Sequence, residues 1–243
     1  MLISETGARR NPDVPAGHPA IRFARQMAQI HNGTIRALNS IYNQCTALKL
    51  DTQDAADFLS YCQMFHETLL HHHEVEEETL FPDIEELAGK PGMMEANVQQ
   101  HREFEDGLES FRFYVFDTGP KNYNGQKLKD IIDSSGKIVE QHLHDEIPTL
   151  LSLHHLDAKK MKQVWARAEK AAQTDVDPYK SGLVTPGCID KTFEVDNIPA
   201  DFPPAPFFVP YMVHYTFSGR HAGAWRFNPC TFFKAPRPLQ LAL

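Results

Sequence analysis

Three segments of the sequence each carry a histidine followed four residues later by a glutamate. These pairs are His72/Glu76, His101/Glu105 and His142/Glu146. A spacing of four places both side chains on the same face of an α-helix. Imidazole and carboxylate groups together suit iron, manganese or zinc. The spacing therefore predicts three helices that each present a pair of metal ligands.

Each pair interrupts an apolar stripe, so the ligands are expected to face a protein core. The stripe around His142, for example, contains Leu128, Val139 and Leu150. A further segment supplies His31 in the middle of its own apolar stripe. Burying so many ionisable groups is costly unless they are paired or bind metal. Two metal ions that share carboxylates are the usual solution in the core of a four-helix bundle.

The register of the second segment is open, because His73/Glu77 has the same spacing as His72/Glu76. We favour His72/Glu76, since the stripe around His73 is interrupted by His66. With that choice, the remaining ionisable residues of the segment are expected to be solvated or to support the ligands. They include His66, His71, His73 and Glu78.

The sequence predicts an all-α fold. We expect an antiparallel up-down four-helix bundle with an additional short helix and an irregular C-terminal wrap. Short loops join the four long helical patterns, which is typical of a bundle. Pro82 is expected to kink the second helix, and Pro148 to disturb the fourth. The helices are expected at about 19–49, 53–88, 93–116, from 126 onward, and 158–172. The predicted units are an arm (1–18), the bundle (19–156), the extra helix (157–174) and a C-terminal extension (175–243).

The C-terminal extension differs in composition from the rest of the chain. It holds ten of the 17 prolines and twelve of the 25 Phe, Tyr and Trp residues. So many aromatic residues argue against disorder. We expect an irregular wrap with short extended pieces, for example at 207–217. Two roles fit it: a structural cover on one face of the bundle, or a wall or lid of an apolar substrate pocket.

The overall composition excludes several classes of protein. The chain has 243 residues and a net charge of −8, which argues against nucleic acid or an anionic membrane as a partner. No apolar run approaches the roughly 20 residues that cross a bilayer. The four cysteines form no CxxC motif, and the N-terminal residues lack the apolar core of a signal peptide. A reducing cytoplasm is therefore the expected compartment.

Residues 72–82, HHEVEEETLFP, resemble the HHxxEExxLFP signature of hemerythrin-like (HHE cation-binding) domains. Residues 142–146, HLHDE, resemble the HLxxE signature of their fourth helix. His31-Asn32 followed by Arg36 resembles the opening of their first helix. The resemblance covers about residues 19–156. The extension, with Trp225-x-Phe227-x-Pro229-Cys230, is similar to the ends of larger hemerythrin-like proteins of fungal type.

The resemblance implies a non-heme di-iron centre that reacts with dioxygen. Two iron ions would be bridged by the carboxylates of Glu76 and Glu146, with dioxygen or an oxo or hydroxo group between them. The other ligands that it implies are His31, His72, His101 and His142. This assignment agrees with the register favoured from the apolar stripes.

Glu105 departs from the pattern of the oxygen-carrying hemerythrins, which have a second histidine at that position. The resemblance gives the carriers five histidines and two carboxylates as ligands. The departure here implies four histidines and up to three carboxylates, with Glu105 either a direct ligand or a support for a ligand imidazole. Carboxylates stabilise oxidised iron, so we expect an oxidase or oxygenase acting on a small apolar or aromatic substrate. The alternatives are a protein that carries or senses oxygen, one that stores or senses iron, and a redox-silent zinc domain.

Overall fold

The computed structural model describes residues 1–200, 202 and 206–241, so part of the C-terminal extension (201, 203–205 and 242–243) lies outside it. Helices dominate the described chain, in agreement with the all-α prediction. The six longest are α1 (Pro19–Gln44), α2 (Gln53–Val75), α3 (Phe81–Ala88), α4 (Glu95–Asp117), α5 (Gly125–Ser152) and α6 (Ala158–Ala171). In the described residues, no helix combines the length and the apolar character required to cross a membrane.

Local sequence signals explain where several helices begin. The side chains of Thr52, Asn124 and Asp157 accept hydrogen bonds from the first-turn amides of α2, α5 and α6. Pro19 occupies the first turn of α1, where its missing N–H costs nothing. Of the helices that begin at these residues, α1, α2 and α5 carry candidate ligands.

Pro82 changes the helical geometry between α2 and α3. A five-residue π-helical turn, Glu76–Leu80, joins the two helices, and the Phe81 amide donates to the carbonyl of Glu76. Proline cannot donate an i→i−4 hydrogen bond, so the regular pattern fails next to it. Pro148, by contrast, does not end α5, which runs on to Ser152. Pro148 removes one i→i−4 hydrogen bond inside the helix, and the buried residues Ile147 and Leu150 lie on either side of it.

The four longest helices enclose the core. Helix α5 packs on α1 and α4, and α2 packs on α4 and α1. One large apolar cluster includes Phe58, Tyr61 and Phe227, and a second includes Phe23 and Leu80. The candidate ligands are buried alongside these apolar side chains.

The C-terminal extension contains short elements. A two-stranded antiparallel hairpin joins β1 (Glu194–Val195) to β2 (Ile198–Pro199). Two short helices follow, α7 (Val209–Met212) and α8 (Ala222–Trp225). A π-helical turn (Val213–Phe217) and a 3-10 turn (Ser218–His221) connect them.

The predicted extended piece at 207–217 is therefore wrong, because most of it is helical. Val209, Val213 and Phe217 are spaced by four and pack against the larger apolar cluster. That packing favours a helix over a strand.

Residues 1–18 lie against both the bundle and the extension. The backbone N–H and C=O of Ile3 pair with the side-chain amide of Asn32, at 2.7 and 2.8 Å. The hydroxyl of Thr6 donates to Oδ2 of Asp196 at 2.6 Å. These contacts tie the N-terminal arm to α1 and to the hairpin turn.

Candidate metal centre

Two groups of candidate ligands share one glutamate inside the bundle. The first group is His73, Glu76, His101 and His142, and the second is His31, His72 and Glu76. Within each group the potential ligand atoms lie within 4.8 Å of one another. Glu146 joins the second group, since its Oε2 is 3.2 Å from Nε2 of His31. The structure thus brings together five imidazoles and two carboxylates.

Glu76 faces both groups with different oxygens. Its Oε1 lies 3.1 Å from Nε2 of His72, and its Oε2 lies 3.6 Å from Nε2 of His101. The residue is 1% exposed, so water does not compensate its charge. This geometry suits a carboxylate that bridges two cations.

A backbone hydrogen bond fixes the orientation of His31. Its Nδ1 lies 2.7 Å from the carbonyl oxygen of Leu143, and a carbonyl can only accept, so Nδ1 carries the proton. In the neutral ring Nε2 then has a lone pair, and this lone pair faces the Glu146 carboxylate. Two lone pairs at that distance repel each other, so the gap must hold a proton or a metal cation.

In His101 and His142, too, Nδ1 has a hydrogen-bond partner and the lone pair of Nε2 faces another lone pair. Their Nε2 atoms lie only 3.0 Å apart. Each Nδ1 has its own acceptor, Oε1 of Glu77 at 2.5 Å for His101 and Oε1 of Gln100 at 3.2 Å for His142. The Gln100 amide in turn donates to Asp145 at 2.9 Å. Outer partners of this kind orient ligand imidazoles and make them more basic.

Several buried ligand atoms have no hydrogen-bond partner among the described residues. They are Nε2 of His31, His72 and His73 and both carboxylate oxygens of Glu76 and Glu146. An unsatisfied buried polar atom costs about 1–3 kcal/mol, and more when it is charged. Cations at the centre of the cluster would satisfy all of these atoms. The donor set therefore fits a pair of metal ions.

The electrostatics keep the imidazoles in their metal-binding form. Burial lowers the pKa of His72 and of His142 to about 3, and it lowers the pKa of His73 well below its ordinary value. A neutral imidazole is the form that binds metal. These side chains need not lose a proton before they bind a cation near neutral pH.

The two carboxyls behave differently in the absence of metal. Burial, reinforced by the neighbouring Glu146, raises the pKa of Glu76 well above its ordinary value. Burial also acts to raise the pKa of Glu146, but the adjacent His31 and the more distant His142 and His72 outweigh it and lower that pKa to about 2. The pair therefore shares one proton, which a cation can replace.

Three residues differ from the sequence expectation: His73, Glu105 and His66. His73, expected to be solvated or supporting, is 6% exposed, and its ring centroid lies 4.4 Å from that of His101. Glu105, expected beside the same metal as His101, is exposed and belongs to neither group. Its place on the buried face of α4 is taken by Phe104. Glu77, the alternative ligand in the register question, instead contacts the Nδ1 of His101.

The sequence contained a signal for His73, the candidate ligand that the prediction from spacing missed. His73 precedes Glu76 by three residues, and a helix brings i and i+3 together as well as i and i+4. His72 and His73 can therefore both meet Glu76, which makes the two registers compatible. His66, also expected to be solvated, is buried and stacks on Phe111 away from the centre.

A cavity of about 550 Å³ adjoins one side of this centre. His72 and Glu76 line it, whereas His73, His101 and His142 do not. The other walls come from α1, α2, α6 and the C-terminal extension. They include Met27, Ile30, Trp165, Ala168, Val213 and Phe217. The cavity therefore reaches the second group through His72 and the shared Glu76, and the three histidines of the first group are enclosed.

Comparison with known proteins identifies the family. Residues 22–153 match the hemerythrin HHE cation-binding domain. The chain is also 39% identical over 223 residues to a protein from Cryptosporiopsis sp. (strain 8999) that is named for a dimeric-xanthone biosynthesis cluster. The match covers 91% of this chain and 84% of that protein. No solved structure matches the chain. Together with the cluster of histidines and glutamates, these matches show that the chain belongs to the hemerythrin HHE cation-binding family.

Proposed function

We propose that this protein is a non-heme di-iron oxidoreductase that activates dioxygen to oxidise a small organic substrate. One group of ligands would hold one iron ion, the other group the second, and Glu76 would bridge them. The proposal includes the bundle topology expected from the sequence, with antiparallel up-down helices. The contacts of α5 with α1 and α4, and of α2 with α4 and α1, support that topology.

The observation that carries the enzyme proposal is the cavity. An oxygen carrier needs only a narrow path for dioxygen. Here a space of about 550 Å³ reaches His72 and Glu76 directly. That volume lies within the range of about 300–1,000 Å³ that is typical of small-molecule sites. The cavity therefore favours an organic substrate beside the metal ions.

The ligand count favours the second candidate, a protein that binds oxygen without turnover. With His73 included, the cluster has five histidines and two carboxylates, the composition that the resemblance assigns to the oxygen carriers. The expectation of an oxidised, carboxylate-rich iron site rested on Glu105, which is exposed. The case for turnover therefore rests on the cavity and on the relative from Cryptosporiopsis.

That relative is named for a biosynthetic cluster that makes dimeric xanthones. Biosynthetic clusters contain enzymes that modify small molecules, and xanthones are oxygenated aromatic compounds. The similarity covers the C-terminal extension as well as the bundle, since it spans 91% of the chain. It supports a role in the oxidation of an aromatic small molecule.

The residues of the chain have distinct roles in this proposal. Bound iron would supply the electrons that reduce dioxygen and so the oxidant for the substrate. Leu143, Glu77 and Gln100 hold the imidazoles of His31, His101 and His142 in place through their Nδ1 atoms. The apolar walls of the cavity exclude water and position the substrate next to Glu76.

An anaerobic iron(II) titration followed by exposure to oxygen tests the proposal. We expect two iron ions per chain. After brief aeration and removal of oxygen, we expect most of the iron to be iron(III), measured with an iron(II)-specific chelator. Glu76→Ala should bind little iron, because it removes a carboxylate from both groups.

Other outcomes would contradict this function. Recovery of the iron as iron(II) after oxygen removal would favour the oxygen-binding alternative. One iron per chain, or stoichiometric zinc in preference to iron, would refute the di-iron assignment itself. Glu78→Ala, at an exposed position of the same helical turn, is the matched control and should leave iron binding unchanged.

A further inference from the structure

We propose that the cavity selects an uncharged, ring-containing molecule, and that α6 and the C-terminal extension provide most of its binding walls. The inference rests on the proposed function, since it defines the substrate class of the same site. Most of the described residues that line the cavity come after residue 153, where the domain match ends. Trp165, Ala168, Leu183, Val213 and Phe217 all belong to that later part of the chain.

The charges of the cavity argue against an acidic substrate. Among its described lining residues there is no lysine or arginine, whereas Glu169 contributes a carboxylate. A carboxylate or phosphate held against α6 and the C-terminal extension would lie on mostly apolar walls without a basic side chain to pair with it, which is costly. An uncharged molecule avoids this penalty.

The cavity nevertheless offers hydrogen bonds to a neutral polar group. Thr34, Gln173 and Thr185 lie in its walls, as does His71, whose Nε2 is 3.3 Å from the carbonyl oxygen of Ala172. A hydroxyl or carbonyl group on a mostly apolar molecule matches this lining. Small-molecule sites commonly combine an apolar wall with a few such polar groups.

Trp165 gives the cavity a rigid aromatic wall. Its ring stacks on Phe23 with centroids 4.6 Å apart and an interplanar angle of 5°. Its indole N–H donates to Oε1 of Glu169 at 3.1 Å, so that carboxylate already has a partner. A fixed aromatic side chain favours ring-containing ligands, because ring contacts add to the area buried.

The test compares 2-naphthol with 2-naphthoate, which have similar ring systems but differ in charge at neutral pH. Binding to the iron-free full-length protein is measured by calorimetry under argon, so that neither coordination of the carboxylate to iron nor oxidation contributes. We expect one molecule of 2-naphthol per chain and at least tenfold weaker binding of 2-naphthoate. Equal affinities for the two probes, or no naphthol binding, would overturn the proposal.

Paired variants locate the binding. Ala172, the residue after the end of α6, lines the cavity and is exposed, whereas Ala166 lies on α6 and is exposed but outside the lining. Ala172→Phe should weaken 2-naphthol binding at least tenfold, whereas Ala166→Phe should not change it. Equal effects of the two variants would place the ligand elsewhere.

A second pair tests the charge argument. Gln173→Arg adds a cation to the lining and should strengthen 2-naphthoate binding about tenfold. Gln163→Arg adds the same charge at an exposed position of α6 outside the lining and should have no effect. Equal affinities in these variants would contradict the selection by charge. None of these measurements requires iron or oxygen, so failure of the oxidase function would leave their result intact.

Discussion

His73 determines the composition of the candidate centre. It lies next to His72, and the spacings of three and four residues to Glu76 allow both imidazoles to reach the same carboxylate. The two rings serve different groups, His72 beside His31 and His73 beside His101 and His142. Helix α2 thus contributes a histidine to each group of candidate ligands, and Glu76 belongs to both groups.

A first prediction compares His73 with Glu105. His73→Ala should reduce the iron content from two ions per chain toward one, because the enclosed group loses one of its three imidazoles. Glu105→Ala should retain both ions, since Glu105 is exposed. Metal analysis after iron(II) loading and gel filtration measures the difference. Loss of iron in the Glu105 variant, with full retention in the His73 variant, would reverse the assignment.

The sequence spacing located most of the cluster but not the orientation of every ligand. His31, His101 and His142 could be recognised because each interrupts an apolar stripe. Glu105 was misplaced because a spacing of four defines a face only broadly. On α4 the buried face runs from His101 to Phe104 and leaves Glu105 in solvent. Which of two neighbouring positions faces inward depends on how the helices pack, and helical spacing alone does not contain that information.

At the level of secondary structure, the bundle depends on close contact between α4 and α5. These helices carry His101 and His142, whose Nε2 atoms are 3.0 Å apart. Gly107 lies on α4 opposite Ser135 of α5, where a Cβ atom on residue 107 would overlap the Ser135 side chain. The missing side chain at Gly107 therefore permits the helix separation that the two histidines require.

A second prediction uses this contact. Gly107→Ala should lower the free energy of unfolding by about 1–3 kcal/mol, because overpacking outweighs the gain in helix propensity. Gly136→Ala on α5 is the control, since its added Cβ would meet Ile132 at an ordinary 3.5 Å. That variant should be more stable by about 0.5–1 kcal/mol. Urea denaturation midpoints measure both, and stabilisation by Gly107→Ala would disprove the contact argument.

Some elements followed from local sequence signals and others did not. The start of α2 follows from the capping residue Thr52, and the start of α6 from Asp157. The irregular turn after α2 follows from Pro82. The helices at 209–225 were not foreseen, because proline is frequent in turns and aromatic residues are frequent in strands. Their helical form depends on tertiary packing, which places Val213 and Trp225 in the core.

At the level of the whole molecule, the C-terminal extension and the bundle form one folded unit. Phe227 is fully buried, and its ring contacts that of Phe58 at a centroid distance of 5.0 Å. Its carbonyl oxygen accepts a hydrogen bond from Ser40 of α1 at 2.5 Å. The cavity forms between these parts of the chain, which are far apart in sequence. The composition of the C-terminal extension suggested a cavity wall as one of its two possible roles. Only the folded structure shows that the extension lies beside the candidate ligands.

A third prediction tests whether the extension is part of the core. Phe227→Ala should cost about 3–5 kcal/mol of unfolding free energy, the usual loss for a buried phenylalanine. For a chain of this size we expect a fall in Tm on the order of 10 °C, measured by calorimetry. The transition should stay single, because the extension and the bundle lose their shared packing together.

The matched control is Phe207→Ala, in the same extension but 86% exposed. An exposed substitution usually changes stability by less than about 0.5 kcal/mol, so its Tm should match that of the wild type. Two separate transitions in the Phe227 variant would show that the extension unfolds independently of the bundle. Equal Tm values for both variants would show that the extension contributes little to the core, and the cavity would then lack a stable wall.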